Sequence, residues 1–233
     1  MKNAEIEEVL DKASSARREV PAELLDRIAA RIAPAMRPVR ALPPAWVLTG
    51  GLVVISGAVA LLGAARVGFQ GIEALTAPAR LLIFGTLALL ACVAAAHLVS
   101  EWIPGSPRRL SAVSLLALVV IALLGLFALL FHDYRAERFL AAGLPCLSAG
   151  LLHAAPAALL GWWWLRRGWA LDPVSAGLAA GVLGGIAGVT LLELHCTDFH
   201  PLHLLVWHTL VVPVSGALGA VVGLVLRERP LLR

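Results

Sequence analysis

The chain has 233 residues, 60% of them hydrophobic, a formal net charge of +4 and a mean hydropathy of +0.86. A soluble domain of this size needs far more polar surface, so that class is excluded. Three cysteines are too few for a disulfide scaffold, and the basic residues bracket apolar runs instead of forming one nucleic-acid-binding patch.

Residues 1–44 are polar and read as a cytoplasmic segment. A secretory signal peptide would put its apolar region near the start, so the first apolar run is expected to be a true anchor. Two short amphipathic helices are predicted in this tail. Ile6, Val9 and Leu10 form the stripe of the first; Pro21 opens the second, in which Leu24, Leu25, Ile28 and Ile32 recur at helical spacing. Neither is long enough to be stable alone in water, and together they cannot enclose a core. The tail is therefore either a solvated topology signal or a segment that buries its stripes on a partner. Pro34, Pro38, Pro43 and Pro44 end the helical pattern ahead of the membrane.

Residues 45–226 hold six apolar runs, at about 46–65, 81–102, 111–131, 144–165, 174–192 and 202–226. About 20 apolar residues at helical rise match the hydrocarbon thickness of a bilayer. The expected fold is an all-α integral membrane protein, a six-transmembrane-helix bundle with a short helical N-terminal segment and a cytoplasmic tail at 227–233. With the N-terminus inside, Lys and Arg number eight in the N-terminal segment, two at Arg108–Arg109, two at Arg166–Arg167 and three at the C-terminus. The outer loops hold only Arg66, Arg80, Arg135 and Arg138, which is the positive-inside pattern for an N-in, C-in inner-membrane protein. Trp46, Trp102, Trp162, Trp163, Trp164 and Trp169 are expected at the inner interface as an aromatic belt.

No internal repeat stands out, which weighs against a transporter built from two corresponding halves. Gly177, Gly181, Gly184, Gly185 and Gly188 in the fifth run, and Ser215, Gly219 and Gly223 in the sixth, allow close backbone approach. These faces are expected to pack the last two helices together, with a homodimer seam as the alternative. Cys92 falls mid-span, where a thiol is usually a small packing residue.

Chemistry concentrates at the outer end. Glu193, His195, Cys196, Asp198, His200 and His203 lie within a dozen residues, with His208 just beyond. His132 and His153 fall at the same end or near mid-depth, and Cys146 opens the fourth run. Imidazole, thiolate and carboxylate are the ligand types of zinc, copper and similar ions. No standard zinc spacing is present, and His203 to His208 is i, i+5, poorer than i, i+4 for two ligands on one helical face. Glu193, His153 and His208 form an intramembrane polar group, and such residues are costly unless they pair or serve function. No nucleophile motif or CxxC appears, so no enzyme is expected. Haem held by His153 and His208 in an electron-transfer protein, and a small transporter or ion-conducting protein, are the competing classes.

The residues resemble the NrsF-type membrane anti-sigma factors. The resemblance runs over about 36–226 and rests on Pro38-Val39-Arg40-Ala41-Leu42-Pro43-Pro44-Ala45-Trp46. It continues at Cys146 with Gly150-Leu151-Leu152-His153-Ala154-Ala155-Pro156, and at Arg166-Arg167-Gly168. Its strongest element is Leu194-His195-Cys196 followed by Val206-Trp207-His208-Thr209-Leu210. It implies a six-span inner-membrane protein whose N-terminal segment holds an extracytoplasmic-function (ECF) sigma factor, with no direct contact to nucleic acid. It also implies two outward cysteines, here Cys146 and Cys196, that sense metal or oxidant. Both fall at the same outer level, and a disulfide, a shared divalent metal ion acting as signal, or plain packing are all compatible with that. His195 and His200 are the nearest imidazoles in sequence for a metal. Where the family commonly has Pro-Glu after the His-Cys pair, this chain has Thr197-Asp198 and then Phe199 and His200.

Overall fold

The computed structural model describes residues 21–32, 42–103, 105–106, 110–134, 139–165 and 170–228. The chain divides into two units, Met1–Ala41 and Leu42–Arg233. Of the first, the described part is one helix, α1 (Ala22–Ile32), with Glu23 in its first turn and Arg31 in its last, the charge order that favours a helix dipole. Its apolar stripe is solvent-facing: Leu24 is 40% exposed, Leu25 53% and Ile28 44%. Ile6, Val9 and Leu10 lie outside the described residues, as do Pro34, Pro38 and Arg40 and the side chain of Ile32.

The second unit is all-helical and contains six helices long and apolar enough to cross a membrane. In chain order these elements are α2 (Ala45–Val67), the short α3 (Gln70–Ala74), α4 (Ala77–Trp102), α5 (Ala112–Leu130), α6 (Phe139–Leu165) and α7 (Pro173–His195). The sixth membrane helix begins with one short turn, α8 (Pro201–His203), continues through a π-helical turn at Leu204–His208, and becomes α9 (Thr209–Glu228).

Local sequence explains the starts. Ser111 caps α5 by accepting from Ser114 N–H, and Asp172 caps α7 by accepting from Val174 and Ser175 with Pro173 next in line. The helices are apolar all round: Leu52, Leu87, Leu115 and Leu192 face inward while Leu81, Leu89, Ile121 and Leu152 face outward. A lipid-solvated bundle requires that pattern, because lipid replaces water at the outer face. Cys92 belongs to the outward set and is exposed, so it does not pack inside as expected from its depth.

α6 begins before the expected start at 144, so Cys146 stands within the helix and not at its mouth. Pro145 and Pro156 both lie inside α6. Membrane helices tolerate such residues when neighbouring groups take up the freed carbonyls. Of the six tryptophans expected at the interface, Trp102 points inward, its ring buried and edge-on to Trp162 at 4.8 Å between centroids. Trp46, Trp163 and Trp164 are exposed. Trp169 and the arginines at 108, 109, 135, 138, 166 and 167 lie outside the described residues.

α7 is the most enclosed of the six long helices and touches α2, α4, α5, α6 and α9. It is small-sided for that reason. A Cβ at Gly177 would meet the Gly219 carbonyl, one at Gly181 the Ser215 carbonyl, and one at Gly185 the Ser215 hydroxyl and Val212 Cα. On its other side, Gly184 and Gly188 lie against the carbonyls of Ala154 and Gly150 of α6. These pairings run in opposite sequence directions, so α7 is antiparallel to both neighbours. Within the chain, then, the glycine faces pack helix on helix.

Gly181→Ala is expected to destabilise the bundle by about 1–3 kcal/mol, the cost of overpacking a close contact. Gly85→Ala, where an added Cβ meets nothing within 4 Å, should be neutral or stabilising through helix propensity. Thermal unfolding of the two purified variants checks the difference; equal melting would show that the α7–α9 contact is not tight.

Candidate functional site

Four side chains from three segments converge where α7 ends. Cys146 comes from α6, Cys196 follows the last residue of α7, His203 precedes the π-helical turn and His208 ends it. One ligand atom from each lies within 4.8 Å of all the others. Cys146 Sγ is 3.7 Å from Cys196 Sγ, and Cys196 Sγ is 3.6 Å from His203 Nε2. The two imidazole rings meet edge to face with centroids 5.0 Å apart. Cys196, His203 and His208 are buried and Cys146 is half-buried.

The π turn explains how residues five apart share a site. In an α-helix, five residues advance the side-chain direction by about 500°, leaving the pair about 140° apart. Here the Thr209 N–H reaches back to the Leu204 carbonyl, five residues earlier. That widened turn carries His208 around to the face of His203. π turns of this kind recur at functional sites. Gly143 contributes as well: a Cβ there would collide with the Trp207 indole, so its absence lets the turn seat against α6.

Carboxylates stand behind both histidines. His208 Nδ1–H donates to Glu193 Oε1 at 2.6 Å, and both side chains are fully buried. His203 Nδ1 lies 3.4 Å from Asp198 Oδ2. His208 Nε2 and Glu193 Oε2 are buried with no hydrogen-bond partner. The hydrogen bond with the Cys146 thiol, helped by burial, holds the Cys196 thiol above its ordinary pKa, while His203 and His208 pull it down. A pocket of 260 Å³, lined by Gln70, Ala142, Cys146, His195, Cys196, Thr197, Asp198 and His203, opens onto this cluster.

The candidates named from sequence separate into two groups. Cys146 and Cys196 are brought together. His195 faces the pocket, but its Nδ1–H donates to Gln70 Oε1 at 3.1 Å. The Nδ1–H of His200 donates to the Asp133 carbonyl at 3.3 Å, which ties two loops together. Within the polar group, Glu193 and His208 pair directly. His153 instead donates from Nδ1 to the Ala149 carbonyl of its own helix, with its ring against Gly63 of α2. His132 is exposed. His203 was visible in the sequence as one of the crowded histidines, but helical spacing argued against its joining His208. The clue available beforehand was the cost of burying Glu193 and His208 within a span, which demands a partner for each.

Six helices of membrane-crossing length, with a buried thiol–imidazole cluster where α7 ends, define a multi-pass membrane protein. The chain belongs to the NrsF family, described as negative regulator of sigma F, which matches residues 32–227. It is thus a member of a family of anti-sigma regulators, whose partner is a sigma factor. No curated protein and no solved structure matches the chain.

Glu193→Leu alone strands His208, and His208→Leu alone strands Glu193; each is expected to cost about 3–5 kcal/mol, as when a buried pair is broken. The double replacement should recover much of that loss, since it removes both polar groups. Melting curves of the three variants test the pairing. Simple additivity would show that the two side chains do not depend on each other.

Proposed function

We propose that this protein is an integral inner-membrane anti-sigma factor. It sequesters an ECF sigma factor through its N-terminal segment and releases it when Cys146 and Cys196 meet a metal ion or an oxidant. The N- and C-termini are cytoplasmic and the cysteines face the outer compartment. The protein acts by binding and carries out no catalytic step.

The observation that carries this reading is the exposed apolar stripe of α1. Leu24, Leu25 and Ile28 are surface residues on a helix too short to hold itself together, and a partner that covers them supplies the missing burial. The family relationship gives that partner a class, a sigma factor. Sensing is supported by the thiol pair: two sulfur atoms 3.7 Å apart can be oxidised to a disulfide after a small shift or can share a cation. His195 lines the same pocket, which supports a part for it in admitting an ion.

Leu24→Asp combined with Ile28→Asp should release the sigma factor and raise its regulon without inducer, because each change places an unpaired charge in a buried contact. Co-purification of the sigma factor at the wild-type level after this double change would count against the tail as the binding element. For the sensor, Cys146→Ser and Cys196→Ser should each abolish release by metal or oxidant, and the double variant should match either single one. Reporter fusions complete the check: positions 106 and 172 should score cytoplasmic, and 74, 136 and 197 should score outside. An inverted pattern would put both thiols in a reducing compartment.

A further inference from the structure

We propose that the chain holds a tetrahedral divalent cation of the zinc class, ligated by Cys146 Sγ, Cys196 Sγ and the Nε2 atoms of His203 and His208. This deepens the sensor reading, on which it rests for its biological role: it names the coordination set and adds two histidines in place of His195 and His200.

Geometry is the first argument. Zinc bonds of about 2.3 Å to sulfur and about 2.0–2.1 Å to nitrogen give a tetrahedron with edges of about 3.8 Å between sulfurs and about 3.6 Å between sulfur and nitrogen. The observed separations are 3.7 Å for Cys146 Sγ to Cys196 Sγ and 3.6 Å for Cys196 Sγ to His203 Nε2. Both sulfurs and one ring nitrogen of each histidine lie within 4.8 Å of one another, so His208 closes the set with a shift of about 1.5 Å at most.

The second argument is the unused nitrogen. His208 is fully buried, its Nδ1 is committed to Glu193, and its Nε2 has no geometric hydrogen bond, only the electrostatic pull of the Cys196 thiol beside the ring. A buried polar atom left in that state costs free energy unless something occupies it. A disulfide between the two cysteines would do nothing for this atom; a cation on the thiolates would. Carboxylate–histidine pairs behind a metal fix the ring tautomer and raise ligand basicity, and Glu193 stands in that relation to His208. Asp198, 3.4 Å behind His203, is placed to do the same.

The third argument is backbone shape. The π turn is the local departure from α-helix that brings His203 and His208 onto one face, and it occurs between those two residues. The ligand set selects the ion class. Two thiolates and two imidazoles favour zinc, cadmium and similar softer ions over magnesium and calcium, which require oxygen. Two thiolate charges balance the cation, so it enters the bundle without adding net charge. With four protein ligands the site is closed, as in zinc sites that hold structure and not those that activate water. The 260 Å³ pocket is the way in, with Asp198 and His195 on its wall.

The test uses the full-length protein in detergent, reduced, loaded with Zn(II) for X-ray absorption and with Co(II) for optical spectroscopy. The expected result is one ion per chain in a two-sulfur, two-nitrogen shell, with the intense visible bands of tetrahedral Co(II) and thiolate charge transfer. His203→Ala should lower Co(II) affinity by at least about tenfold, and Glu193→Gln, a positioning change, by about 10–100-fold while keeping two sulfurs in the shell. His195→Ala and His200→Ala should leave the two-sulfur, two-nitrogen spectrum intact. The wild-type spectra decide the matter even where a variant fails to fold. Absence of stoichiometric binding, an oxygen-rich shell, or loss of nitrogen ligands in His195→Ala or His200→Ala would overturn the proposal. Induction assays on the cysteine variants answer separately: a normal two-sulfur, two-nitrogen site with an unaltered response supports the coordination while removing the sensor role.

Discussion

Close backbone contact along α7 determines where everything else can sit. Its glycines lie against backbone atoms of α9 on one side and of α6 on the other. Between membrane helices there is little hydrophobic drive, because lipid tails are as apolar as the leucines they replace, so dispersion at short range has to hold the bundle. A helix that supplies such contacts on several faces must be small-sided and enclosed, and α7 is. The consequence is positional. Once α7 is locked at Gly177, Gly181 and Gly185, its last turn delivers Glu193 and then Cys196 at a set depth, opposite α6 and beside the entry to α9.

The polar cluster follows from that placement. Within an apolar bundle, Glu193 and His208 are tolerable only as partners, and their 2.6 Å hydrogen bond satisfies one atom of each. The remaining atoms, Glu193 Oε2 and His208 Nε2, are left with buried capacity. Natural interiors leave few such groups, and those that remain call for an explanation such as an ion or an ordered water. Glu193 therefore does more than anchor a loop: its hydrogen bond fixes the His208 ring beside the two cysteines.

How much of this was legible before the structure depends on the residue. The six spans were, because twenty apolar residues have one stable use in a bilayer, and the α7–α9 contact was one of the two readings, beside a dimer seam, that small residues at steps of four allow. The pair Cys146 and Cys196 was reachable from alternation of the spans, which puts both at one end. His203 and His208 were not, since the helical period was assumed to run unbroken and a π turn changes that period locally. Nothing in Leu204-Leu205-Val206-Trp207 announces such a turn. Trp102 makes a related point. Composition locates a tryptophan near an interface but does not say whether it points outward or, as here, inward onto Trp162. Cys92 erred in the opposite direction, because mid-span depth fixes the level and not the face.

The cluster draws its side chains from α6, from the end of α7 and from the turn that leads into α9, the same three helices that the glycine contacts lock together. A change in charge or ligation there cannot be absorbed by one flexible loop. Cys146 is carried on a packed helix, and His208 is tied to α7 through Glu193. Packed interfaces respond to a small local shift by switching between discrete arrangements, because they are not continuously deformable. Chemistry at the thiols would thus bear on how α6 and α9 seat against α7. The small residues that let these helices touch are also what would make that seating sensitive, since contacts between backbones have no flexible side chain to take up a displacement of an ångström.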